Sequence, residues 1–263
     1  MSLLRALRVW VVFWFAGAIP AWAQTNASAT QGTPAKPVYA VLSVIGDKID
    51  VVVARSLPGQ EQAAVRGAVT PTEGVFDAVA VEAASRAIWA VAPKMDIAQL
   101  AVRGKSMFEK QTELFAEANG RIRIPAEVME GARQQAATHL VLLLKHRAPV
   151  VWNVPGTAKP KTDAQFRGTV EGLGFVVDVP AGRDGEIVPF LHFQVLVVDL
   201  ASATVVGRNP VAATAPVPAE AVSADLAWRN FSAWQKTRSL EFLIRDQVMQ
   251  AVQSLFELIA PPN

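Results

Sequence analysis

Short β-branched runs alternate along this chain with stretches in which apolar residues recur every three or four positions, and that alternation predicts the elements. Residues 38–44 and 49–54 are two β-branched runs split by Ile45-Gly46-Asp47-Lys48. A Gly-Asp pair supplies the positive φ of a tight turn, so the two runs read as a β-hairpin. Residues 55–74, with Pro58, Gly59, Gly67, Pro71 and Gly74, read as an exposed loop. Asp77 is placed to cap a helix in which Ala80, Ala83, Ala84, Ala87, Ile88 and Val91 form one apolar stripe that Pro93 ends. Residues 97–102 read as a short strand. Met107, Phe108, Gln111, Leu114, Phe115 and Ala118 line one face of a second helix, which Asn119-Gly120 closes in a left-handed conformation.

Pro125 suits a first helical turn, so a third helix is expected over residues 125–137. Residues 139–145 (HLVLLLK) are almost continuously apolar, as in a strand covered on both faces. Residues 148–168 carry no period and read as a long loop. Residues 169–178 and 191–200 are strands, the latter turning through Ala201-Ser202-Ala203 into a second hairpin at 204–207. A Pro- and Ala-rich crossing at 210–222 leads to a last helix. Its stripe runs from Leu240 to Ile259 and stops at Pro261-Pro262. This order predicts an α+β fold: a mixed β-sheet with two hairpins and about four helices packed on it.

Ahead of these elements stand Arg5, Arg8, an apolar run at residues 9–19 and the small-x-small triplet Ala21-Trp22-Ala23. Residues 1–23 therefore read as a cleaved secretory signal, cut between Ala23 and Gln24. Pro20 breaks the run short of the roughly 20 residues a bilayer span needs, so a retained anchor is the weaker reading. Residues 24–37 are small and polar, a flexible leader. Residues 38–263 are expected to form a single periplasmic domain. Cleavage removes Arg5 and Arg8, so the 25 basic residues fall to 23 and match the 23 acidic ones. A neutral domain lacks the electrostatic footprint of a nucleic-acid binder, and attraction to anionic lipid is equally unsupported. The chain has no cysteine, which excludes disulfides, thiolate metal sites, cysteine nucleophiles and lipoprotein acylation, and which fits a bacterial envelope protein.

Candidate chemistry is sparse. Gly104-Lys105-Ser106 lacks the Gly five residues earlier that a phosphate-binding loop needs, Gln99 standing there, and reads as a helix-start turn. His139, His146 and His192 are too few and too scattered for a metal, and each reads as a satisfied sheet histidine. Ser43 and Ser85 have no catalytic surroundings in sequence, and the acids Asp47, Asp50, Asp184 and Glu186 lie in or beside turns where solvation is the rule. Trp228, Phe231 and Trp234 read as an anchor tying the crossing to the core. No catalytic residue, metal or cofactor is assigned.

The remaining cluster is a polar rim around the long loop: Lys145, His146, Arg147, Trp152, Glu171 and Asp178. If residues 169–178 pair with 139–145, this rim faces Gly172-Leu173-Gly174-Phe175, where glycine permits close approach. Trp152, an aromatic on an irregular loop, has the character of a contact residue.

The segments YAVLSVIGDKIDVVV, ATHLVLLLK and VLVVDLASATVVG resemble, loosely, bacterial envelope domains of the CsgG or TolB N-terminal kind. With GLGFVVD and the C-terminal segment, the whole chain is similar to uncharacterised exported proteins of proteobacteria, Burkholderiales-like. The resemblance implies binding or assembly in the envelope and no catalysis. The first expectation is thus a periplasmic, non-catalytic module that binds another envelope protein or a small ligand, with no nucleic acid and no membrane span after cleavage. The alternative is a periplasmic hydrolase or small-molecule-binding enzyme using the same rim, with His146, Glu171 and Asp178 converging to handle protons.

Overall fold

In the computed structural model the sheet is organised by β12 (Glu186–Asp199), whose 14 residues are long enough to serve two neighbours end to end on one edge. Its residues 193–199 pair antiparallel with β7 (His139–Lys145), and its residues 186–192 pair antiparallel with β11 (Thr169–Val179). The other edge carries β13 (Thr204–Thr214). The sheet therefore forks. An inner branch adds β1 (Val38–Ser43) and then β4 (Asp96–Gln99) to β7, all parallel. An outer branch adds β2 (Ile49–Arg55) parallel to β11, then β3 (Ala64–Val69) antiparallel to β2. The structure describes residues 36–55, 64–72, 74–102, 104–152, 161–162, 169–179, 186–215 and 231–259. All lie in one compact unit, Lys36–Asn263.

Side-chain alternation builds two helical layers on the inner branch. Tyr39, Val41, Val141 and Leu143 face α1 (Val75–Val91) and the 27-residue α5 (Ala233–Ile259). Ala40, Leu42, Leu140 and Leu142 face α2 (Lys105–Glu109), α3 (Gln111–Leu114) and α4 (Ala126–Gln134), through Met107, Phe108 and Val128. Coverage on both faces is why HLVLLLK has no polar alternation. On the outer branch Leu173, Phe175 and Leu191 join the first layer, while Val52, Val176, Val188 and Phe190 form a smaller cluster with Val150 and Val170. Helices and a mixed sheet make this an α+β fold. No helix among the described residues is long and apolar enough to cross a membrane.

Several local expectations give way to tertiary contacts. The opening hairpin does not form, because β1 and β2 belong to different branches. Gly46 is not among the positive-φ glycines. Instead it meets α1 so closely that a Cβ would fall 2.8 Å from both Phe76 Cβ and Asp77 Oδ2. The hairpin partner of β2 is β3, inside the stretch that reads as a loop. The second helix is two short pieces, α2 and α3, followed by β5 (Glu117–Ala118), which pairs with β6 (Arg121–Ile122). Asn119 and Gly120 do take left-handed φ values of 54° and 73°, as the loop of that hairpin rather than as a helix end. β12 and β13 are both longer than expected. The crossing thus begins only after Thr214, with Pro210 tolerated in a strand whose far edge pairs with β6 only at Thr204. Residues 148–168 contain β8 (Arg147–Pro149) overlapping their start, and a small pair, β9 (Val151–Trp152) with β10 (Lys161–Thr162). The signal, almost all of the leader, Trp228, Asp184 and Pro261-Pro262 lie outside the described residues.

Candidate functional site

Along β12 the inner branch stops and the outer begins at adjacent positions: Phe193 pairs with Lys145 of β7, and His192 with Gly172 of β11. The crotch of the fork is filled by a lysine. Gly172 takes φ 73°, and a Cβ there would lie 3.3 Å from Lys145 Cδ, so the aliphatic stem of Lys145 runs over the glycine. The ammonium ends 2.5 Å from Asp47 Oδ1, the two side chains being 5% and 20% exposed. Asp47 lies in the connection from β1 to β2, so this ion pair ties the branches together, and the acid that sequence reads as solvated is largely enclosed. Burial raises the stakes, since deleting one partner of such a pair typically costs about 3–5 kcal/mol. The backbone is fixed as well. Lys145 N–H donates to Gln111 Oε1 at 2.9 Å, and His146 N–H to the His192 carbonyl at 3.1 Å. Gln111, which reads as part of an apolar helical face, is a buried polar stop for β7.

Outside this root, β8 pairs antiparallel with the start of β11, and Arg147 stands directly opposite Glu171. Their side chains approach to 3.4 Å while 69% and 39% exposed. A pair this wet contributes little to stability and leaves both charges open to solvent. Beneath lies His192, 1% exposed, its Nδ1 3.4 Å from the Val170 carbonyl and its ring 5.4 Å from Phe190. It is a sheet histidine partnered at Nδ1, and Nε2 has no partner among the described residues. Burial holds its pKa below the usual histidine value, the nearby His146 adds to the shift, and the Val170 and Ala148 carbonyls oppose it.

Lys145, His146, Arg147 and Glu171 are thus gathered at one end of the sheet by the pairing of β11 with β8, whereas residues 139–145 pair with β12 and β1. Trp152 lies in β9 opposite Lys161, its side chain outside the described residues. Asp178 pairs with Ala54 and Glu186 at the far end of β11, roughly 20 Å along the strand from Glu171. His146, Glu171 and Asp178 therefore do not converge. Ala23 and Gln24 lie outside the described residues.

A second polar centre was hidden in sequence. Asp77 is only 8% exposed and does not cap α1, which begins after Gly74 without a side-chain cap. Its Oδ1 accepts the Ser43 hydroxyl at 2.6 Å and the N–H groups of Ile45 and Gly46 at 2.9 and 3.2 Å. Its Oδ2 has no partner among the described residues, and a buried acceptor left so costs about 1–3 kcal/mol. Burial raises the Asp77 pKa, the three hydrogen bonds pull it down, and the charge of Asp47 pushes it up further. The available signal was spacing: Asp77 precedes Ala80, Val81 and Ala84 on the buried face of the helix.

The aromatic segment divides. Phe231 packs edge-on to Phe175 at 6.1 Å, whereas Trp234 is 69% exposed with the Arg238 guanidinium 5.8 Å from its ring, so Trp234 is not the anchor expected. Gly104 opens α2 at φ 108°, a helix-start turn. Among the described residues no three His, Asp or Glu side chains group as a metal site.

Fold and site together define an α+β domain with a charged rim at the fork of its sheet. No family model matches the chain, and no curated protein does. Solved structures with a similar course include the PelC dodecamer from Paraburkholderia phytofirmans (11% identity, 84% of this chain and 89% of that one, TM-score 0.30). Protein XCC0632 from Xanthomonas campestris, of family DUF330, matches at 10% identity over 84% of this chain and 90% of that one, TM-score 0.33. The hypothetical protein CT253 from Chlamydia trachomatis matches at 14% identity over 84% and 99%, TM-score 0.30. At these scores the likenesses carry no inference about activity.

Proposed function

We propose that this chain is an exported bacterial envelope protein, residues 1–23 its signal, 24–37 a flexible leader and 38–263 one periplasmic domain that acts as a non-catalytic binding or assembly module. Its contact surface is the rim of His146, Arg147, Trp152 and Glu171. One observation carries the reading: Arg147 and Glu171 are an open pair of opposite charges mounted on a strand end that the Lys145–Asp47 pair holds still. Opposite charges presented side by side on paired strands favour electrostatic recognition of a complementary partner. The proteobacterial resemblance of the sequence fits the same setting.

Mass spectrometry of native protein from an envelope fraction tests the first half: a chain beginning at Gln24 is expected, and a cytoplasmic chain that keeps Met1 overturns it. Photo-crosslinking from position 147 or 152 in intact cells tests the second. One defined envelope partner is expected, captured far less when Arg147→Glu or Trp152→Ala is introduced. Capture unchanged by both substitutions removes the rim as the contact surface.

A further inference from the structure

We propose that the cavity between the outer branch and the first turns of α1 and α5 binds an apolar monocarboxylate, its tail on the valines and phenylalanines of the lining and its head at Lys236. This site shares no side chain with the rim, and its existence does not depend on the function proposed above.

Strand alternation lays the floor. Ile49 pairs with Val69 of β3 and Val51 with Phe175 of β11, so these four side chains share one face of the outer branch. Val75 and Phe76 at the start of α1 wall the space on one side, and Lys236 and Thr237 in the first turns of α5 on another. The cavity so formed has a volume of about 430 Å³. Val69, on the edge strand, remains 53% exposed, so the apolar lining on that side is open to solvent. That volume and mostly apolar lining suit a small organic molecule held by few polar contacts.

The polar side of the lining then selects the head group. Lys236 is the one charged side chain among its described residues. It is half-buried, and burial holds its pKa below the usual lysine value, which puts the ammonium where water screens it less than at an open surface. A carboxylate beside it gains a charge-assisted hydrogen bond, while an amine meets like charge. Thr72 and Thr237 are neutral and serve an alcohol as well as an acid, so the preference for the acid lies with Lys236. The dipoles of α1 and α5, which both begin here, add potential of the same sign in a supporting role. Lys236 already takes part in another interaction, so binding exchanges its partner; the head sets the preference and the buried tail supplies most of the affinity.

Octanoate, 1-octanol and octylamine share a tail and differ in the head, so below their micellar concentrations they separate charge from apolar burial. By calorimetry and saturation-transfer NMR at neutral pH, octanoate is expected to bind the wild type, with the alcohol about tenfold weaker and the amine weaker still. Lys236→Met keeps an unbranched stem and is expected to bring octanoate down to the level of the alcohol, whose own binding stays. Arg238→Met, which takes a guanidinium from beside the exposed Trp234, is expected to leave the preference intact. Val69→Trp fills the cavity from an exposed strand position; it is expected to abolish binding of all three at unchanged Tm of the free protein, and it decides the matter should Lys236→Met not fold. Equal binding of the three compounds, no binding of octanoate by the folded wild type, a preference for octanoate that survives in folded Lys236→Met, or binding undiminished in folded Val69→Trp overturns the proposal.

Discussion

The inner and outer branches of the sheet hang on the same strand, β12, yet they are held in different ways. Helices cover the inner branch on both faces, so β1 and β7 are specified by an unbroken series of buried side chains. The outer branch has the paired helices on one face only. It is joined to the rest by the ladder of β11 on β12, by the close approach of Gly46 to α1 and by one ion pair at the crotch, and within it β2 lies against Gly174 of β11. The inner branch therefore spreads its stability over many buried side chains, while the outer branch leans more on a few close approaches.

Gly174 is the most demanding of these. A Cβ there would fall 1.9 Å from the Asp50 carbonyl oxygen of β2 and 2.7 Å from Phe190 Cζ, so β2 must move off β11. Gly174→Ala is expected to cost about 3 kcal/mol or more in denaturant melts, because backbone cannot yield as a side chain can. Amide exchange is expected to accelerate in β2 and β3 well before β1 and β7. Gly207→Ala is the control: its Cβ would meet only side chains, Leu255 Cδ1 at 3.1 Å and Ile259 Cγ2 at 3.5 Å, and about 1 kcal/mol or less is expected. Equal losses would mean that the outer branch is not held by close approach.

The same contrast decides what can be read from sequence. β7 is legible because coverage on both faces writes itself as continuous apolar residues. The Ile45-Gly46-Asp47-Lys48 segment satisfies the local rules for a tight turn, but Asp77, far along the chain, takes the N–H groups of Ile45 and Gly46 and sends the strand elsewhere. β3 (AVRGAV) has too little alternation to announce itself and exists through its pairing with β2. Of the rim, Lys145, His146, Arg147 and Glu171 are legible because the chain returns over itself from β8 to β11. Asp178 is not part of it because a strand of 11 residues carries it away. Asp77 is invisible for the opposite reason: an acid opening an apolar period looks like a cap, and only its place on the buried face betrays it.

The joint between the branches comes next in size. Lys145→Met removes the ammonium and leaves Asp47 largely enclosed without its partner, for an expected loss of about 2–3 kcal/mol, below the fully buried case because Asp47 keeps some water. Combining it with Asp47→Asn is expected to restore part of that loss, which a double-mutant cycle reads directly. Strict additivity would show that the pair does not couple the branches.

His192, under the same joint, gives a smaller and pH-dependent effect. Its folded pKa lies below the unfolded value of about 6.5, so between the two values the unfolded chain holds a proton that the folded chain does not. Stability is therefore fully present above about pH 6.5 and is lost as pH falls through that window. His192→Leu, which still fills the space beside Phe190, is expected to flatten the decline in chemical-denaturation midpoint over that range. A decline of unchanged slope would assign the acid sensitivity to other groups.

Arg147 should matter least to the fold, and that is what makes it informative. It stands two residues beyond Lys145 in the same chain segment and also faces a carboxylate, but its 3.4 Å pair with Glu171 is open to water. Solvent screening and side-chain entropy cancel most of the attraction in such a pair, so Arg147→Ala is expected to change stability by about 0.5 kcal/mol or less. Added salt is expected to erase even that difference, while leaving the effect of Lys145→Met largely intact, because enclosed charges are screened far less. A loss for Arg147→Ala approaching that for Lys145→Met would make the outer pair a structural clamp like the inner one. An Arg147→Ala protein that melts as the wild type does, yet no longer captures the proposed envelope partner, would separate the two pairs by purpose: the inner joins the branches, and the outer serves the proposed contact surface.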